Sequence, residues 1–151
     1  MKKASSLSAS FVLTAVFLLG GSGIVRAIPP AESVKYRQDV MDDLKDAMKA
    51  LKHATKAGDG QGAAAPAAKL QRLTKDLTKL FPPGSTNADS EAKPEVWSRW
   101  ADFEQVANDA RVKAEALAKA ASSGDSAALQ DAMRDMGSAC KACHKDFRSD
   151  K

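Results

Sequence analysis

Cys140-Lys141-Ala142-Cys143-His144 is the stretch on which the reading of this 151-residue chain turns. It has the form C-x-x-C-H, the attachment signature of c-type haem. The spacing follows from the chemistry. Two thiols add across the two porphyrin vinyl groups, and the adjoining His144 offers its imidazole to the iron. In a helix Cys140, Cys143 and His144 fall at i, i+3 and i+4, on one face. Other readings use these residues less fully. A disulfide between the cysteines leaves His144 without a role. A thioredoxin-like motif calls for a βαβ setting, and no window of the sequence alternates as a strand does. A zinc site needs further ligands, and the one other histidine is His53.

The opposite end of the chain bears on the same question. Lys2 and Lys3 precede an apolar run from Phe11 to Leu19, and Val25-Arg26-Ala27 follows. Charged start, apolar middle and small-residue site are the parts of an export signal, with cleavage expected after Ala27. The run is short for a membrane span, which needs about 20 residues; an uncleaved anchor is the alternative. Export supports the haem reading, because bacterial haem attachment of this kind takes place outside the cytoplasmic membrane. The expected organisation is a signal peptide over residues 1–27 and one periplasmic domain over 28–151, with both cysteines used by the haem.

Charge excludes one class of function. The chain carries +4, but residues 1–27 hold Lys2, Lys3 and Arg26 and no acid. What remains has 20 Lys and Arg against 19 Asp and Glu, a net +1 before two haem propionates are added. Bulk charge therefore gives no case for nucleic-acid binding.

Four amphipathic segments fill the mature chain. Over 31–57, Val34, Met41 and Met48 interleave with Arg37, Leu44 and Leu51 at helical spacing, and Gly58-Asp59-Gly60 ends the run. Over 63–80 the stripe is Leu70, Leu73, Leu77 and Leu80, with Pro66 expected in the first turn. Over 94–122, Val96, Phe103, Ala110 and Leu117 interleave with Trp100, Ala107, Ala114 and Ala121; Trp97 and Trp100 read as core or haem-edge packing. Over 125–148, Leu129, Met136 and Cys143 interleave with Met133, Cys140 and Phe147, so the cysteines lie on the core face. Met133 and Met136 read as packing. The expected fold is all-α, an antiparallel up-down-up-down four-helix bundle with the haem inside it.

Two residues of the first segment stand out. Arg37 sits in register with the apolar stripe, where a charge needs a partner; the alternative is an arginine that snorkels to solvent. Met41 is a candidate sixth iron ligand. In the expected topology the first helix begins where the fourth ends. His144 then lies roughly 7 Å from one end and Met41 roughly 15 Å from the other, at 1.5 Å per residue. A thioether is a known haem ligand, and ordinary core packing is the alternative.

Several stretches together resemble the cytochrome c′ family, the four-helix-bundle class II cytochromes c. They are Tyr36-Arg37-Gln38 with Met41, Leu80-Phe81-Pro82-Pro83-Gly84-Ser85, Lys93-Pro94-Glu95-Val96-Trp97, and Cys140 to His144 with Phe147-Arg148. The resemblance implies that Arg37 contacts a haem propionate and that Met41 faces the distal side of the iron. High-spin members commonly carry a bulky non-ligand at that distal position, so Met41 points to the low-spin c-556 type with Met/His ligation. Arg148 is similar to a basic residue beside the proximal histidine; a solvated arginine at a helix C-terminus is its alternative. The resemblance also admits a homodimer.

The expected function is that of an exported mono-haem electron-transfer protein, not an enzyme, serving an unidentified redox partner. Haem-binding residues are Cys140, Cys143 and Arg37; iron ligands are His144 and Met41. The alternative is a five-coordinate haem that captures NO or CO. A bundle whose haem mainly stabilises the fold is a third reading.

Overall fold

The computed structural model describes residues 29–149. The expected signal peptide over 1–27 lies outside the described residues.

Four long helices and one short turn of helix form the fold: α1 (Pro30–Lys56), α2 (Gly60–Thr74), α3 (Glu95–Ser98), α4 (Trp100–Ser123) and α5 (Ser126–Phe147). A 3-10 turn, Leu77–Leu80, follows α2. Local chemistry sets the ends. Proline stands at the start of α1, where a missing N–H costs nothing. Gly58 at φ 68° turns the chain out of α1, and the Asp59 carboxylate accepts from the Gly62 N–H at 2.8 Å to cap α2. Gly124, at φ 75°, ends α4 in the left-handed region. Asp125 then caps α5, accepting from the Ala127 and Ala128 N–H groups at 2.9 and 3.0 Å.

Neighbouring helices pack in chain order: α1 on α2, α2 on α4, α4 on α5. This is the up-down-up-down bundle that the four stripes imply. The fourth pairing differs, for α1 and α5 meet sparingly. They form a slot along one side of the bundle.

The core has two halves of unlike character. One is built largely of small residues, with Ala47, Ala63, Ala67, Ala110, Ala114, Ala121 and Ala139 around Leu51, Leu70, Leu117, Leu129 and Met136. Alanines let backbones approach closely, toward the lower end of the roughly 8–10 Å range of helix spacings. The other half holds Val40, Leu80, Phe81, Val96, Phe103 and Phe147. Phe103 meets Phe81 edge-on at 4.7 Å and Phe147 at 5.4 Å between ring centroids.

Two expectations are corrected. The second helix starts at Gly60 and stops at Thr74, not over 63–80, so Pro66 lies inside it rather than in its first turn. Thr74 Oγ1 bonds back to the Leu70 carbonyl at 2.9 Å, a competing bond of the kind that loosens helices, and the chain tightens to a 3-10 turn before Pro82. The third expected helix, 94–122, is broken at Arg99, whose ψ of 48° separates α3 from α4. The turn α3 lets the Trp97 indole N–H reach the Phe81 and Pro82 carbonyls, both at 3.2 Å.

Leu70 is fully buried in the alanine-rich half. Leu70→Ala should lower the unfolding free energy by about 3 kcal/mol while the haem spectrum stays unchanged, measured by urea titration followed by circular dichroism and absorbance.

Candidate haem-binding site

The C-x-x-C-H motif occupies the last turns of α5, which ends at Phe147. Cys140 is half-buried against the alanine-rich half of the core and Cys143 against the aromatic half. Both thiols are free, so no disulfide joins them. Burial pushes the Cys143 thiol up to about 11, helped by Cys140 and Asp146. Burial raises Cys140 as well. The helix therefore presents both as neutral thiols, not thiolates, at neutral pH. His144 is exposed at the surface. Partial desolvation, then the charge of Arg148, hold its imidazole below the usual histidine range, with Glu91 opposing. A neutral ring keeps the lone pair that a metal requires.

Met41 lies across the slot. It packs on the same aromatic cluster as Cys143, Trp97 and Trp100. Along the slot, Met41, Leu44 and Met48 of α1 and Met133, Cys140 and Cys143 of α5 are all partly buried. Their stripe neighbours Val40, Ala47, Leu51, Met136 and Ala139 are fully buried. Incompletely covered apolar and sulfur side chains on both helices suit a flat apolar macrocycle held by thioethers. The residues present therefore fit a haem: Cys140 and Cys143 for its vinyl carbons and His144 for the iron.

Arg37 is 5% exposed, so it does not snorkel. Its partners lie in the segment between the 3-10 turn and α3. The guanidinium donates to the Leu80 carbonyl, the Ser85 carbonyl and the Ser90 hydroxyl, each at 3.0 Å, and to Ser85 Oγ at 3.3 Å. It also lies 4.5 Å over the Phe81 ring. Burial pulls its pKa below the ordinary arginine value. The far end of the same segment joins α5. The Lys93 N–H donates to the Phe147 carbonyl at 3.0 Å, the Ser149 N–H to the Glu91 carbonyl at 2.8 Å, and Arg148 pairs with Glu91 at 2.6 Å. Residues 80–93 thus form a strap from α1 to the end of α5. Sequence reasoning quoted Leu80 to Ser85 and Lys93 to Trp97 as family-like but gave Ser85, Ser90 and Glu91 no task. The polar register of Arg37 was the available signal.

The comparisons with known proteins agree with this geometry. The family model described as Cytochrome C′ matches residues 32–148. The chain belongs to the cytochrome c′ family. As its members do, it carries covalently attached haem c. Cytochrome c′ of Pararhodospirillum photometricum is 36% identical over 125 residues, covering 79% of this chain and 98% of that one. Cytochrome c-556 of Agrobacterium tumefaciens is 31% identical over 125 residues, covering 80% and 100%. Among solved structures, cytochrome c′ of Thermochromatium tepidum superposes with a TM-score of 0.77 at 29% identity, covering 83% of this chain and all of that one. A nitric oxide complex of a variant cytochrome c prime from Alcaligenes xylosoxidans gives 0.74 at 30% identity, covering 80% and 97%.

Thioether attachment makes a simple prediction. The haem should stay with the polypeptide through acid-acetone extraction and denaturing electrophoresis. In the Cys140→Ala/Cys143→Ala variant it should partition into the organic layer, and the bundle should be less stable, since a cofactor that binds the folded state favours it.

Proposed function

We propose that this chain is an exported, periplasmic mono-haem electron carrier whose iron is held by His144 and Met41. The observation that carries the reading is the placement of Met41 against the same aromatic cluster as Cys143, across the slot from the attachment helix. When bound, the haem supplies an iron that cycles between ferric and ferrous states. The chain's own residues keep that change small. His144 and Met41 present one imidazole and one thioether, a pair that raises the potential of haem iron. With both axial positions filled by the protein, little rearrangement accompanies the electron. Phe81, Phe103 and Phe147 keep water from the closed end of the slot. The similarity to cytochrome c-556 of Agrobacterium tumefaciens, which spans all of that relative, supports the reading. No described helix is long and apolar enough to cross a membrane.

The second reading is a five-coordinate haem that binds NO or CO, with Met41 as packing. It is favoured by the nitric oxide complex of the Alcaligenes xylosoxidans relative, at 30% identity.

One experiment separates them. Ferrous wild type should be low-spin and take up CO slowly, because CO must displace a tethered sulfur. Met41→Ala should be high-spin, bind CO faster by roughly tenfold or more, and have a lower potential, as loss of the thioether disfavours ferrous iron. A high-spin wild type that binds CO at once would establish the second reading instead.

A further inference from the structure

We propose that Gly137 is the seat of the porphyrin on α5: the macrocycle lies on the helix backbone there, and any side chain would stand between them. The proposal rests on covalent haem, and not on which group takes the far side of the iron. Gly137 lies midway along α5. A glycine inside a helix leaves the folded state roughly fivefold less favoured than alanine would, so it calls for a reason. Chains keep such glycines for a left-handed backbone or for the close approach of another group. The first reason does not apply. Gly58, Gly84 and Gly124 have positive φ among the described glycines, and Gly137 does not. Nor does the polypeptide make the approach. A Cβ at Gly137 would meet no heavy atom within 4 Å, its chain neighbours and own helix backbone aside. At Gly62, by contrast, an added Cβ would strike the Asp59 carboxylate that caps α2.

The direction of Gly137 supplies the missing partner. It stands four residues after Met133, three before Cys140 and seven before His144, so the four share one face of α5. That face turns toward α1, where Thr55 Oγ1 lies 3.1 Å from Met133 Sδ. Gly137 is half-buried on this wall of the slot. The tethers and His144 all lie on its C-terminal side, with Cys140 roughly 4.5 Å further along the axis. A flat macrocycle held at Cys140 and Cys143 can extend past the end of α5 into water, or inward along the slot over Gly137. Inward, it covers the partly buried Met41, Leu44, Met48 and Met133, and apolar burial favours that course. Between the Met133 and Cys140 side chains, Gly137 is the level at which the backbone itself is the surface.

The test uses the haem-loaded protein as wild type, Gly137→Ala, Gly137→Leu and a control, Ser138→Ala, at the exposed next position. Readouts are the denaturant midpoint, the haem-to-protein ratio after purification, and the out-of-plane porphyrin modes in the resonance Raman spectrum. Helix propensity alone would make Gly137→Ala roughly fivefold more favoured in its folded state and leave the spectrum alone. A seated porphyrin reverses the sign. Overpacking should make the folded state of Gly137→Ala roughly fivefold less favoured than wild type and shift the out-of-plane modes. Gly137→Leu should carry less haem per chain than Gly137→Ala. Ser138→Ala should keep the wild-type haem ratio and spectrum. A Gly137→Ala protein more stable than wild type, with unaltered porphyrin modes, would overturn the proposal. So would a Gly137→Leu protein with full haem and a wild-type spectrum. If the leucine chain does not mature, the alanine variant decides alone, since its added Cβ touches nothing in the polypeptide.

Discussion

A buried guanidinium with four of its five N–H donors filled is the constraint on which the haem end of this molecule depends. Removing an arginine from water costs several kcal/mol, and the cost is offset where good hydrogen bonds replace the lost hydration. Arg37 meets that condition with two carbonyl and two hydroxyl oxygens, and none of the buried side-chain polar atoms among the described residues lacks a partner. Its acceptors come from a segment with little regular structure, which would otherwise have no fixed place. The arginine orders the segment, and the segment buries the arginine. Phe81, under the guanidinium, carries that order into the aromatic core.

The two halves of the core divide the labour. Against the alanine-rich half lie Met48, Met133 and Cys140. Phenylalanine and tryptophan line the other half, against which Met41 of α1 and Cys143 of α5 both pack.

Much of this was legible in the sequence because helices advertise themselves locally. The stripes of α1 and α5, the breaks at Gly58 and Gly124, and the motif from Cys140 to His144 all depend on neighbours within a few residues. The strap was not legible. Arg37 announced itself as a charge out of register, but its acceptors lie 43 to 53 positions away. Two of them are backbone carbonyls, which carry no residue signature at all. The break at Arg99 was hidden for a related reason: Val96, Trp100 and Phe103 keep helical spacing across it.

The bridge between Ala92 and Arg148 has a consequence for how this fold comes apart. The packings of α1 on α2 and of α4 on α5 join helices separated by only a few residues, whereas α2 and α4 are joined through residues 75–99. The strap contacts close loops of 43 to 58 positions, the entropically costlier kind. Such contacts give way first when a molecule opens locally, while elements held by many apolar neighbours stay together. The side of the bundle between α1 and α5 is thus a seam. It can part without unfolding the other three interfaces, and the cysteines fixed on α5 keep the porphyrin from leaving when it does.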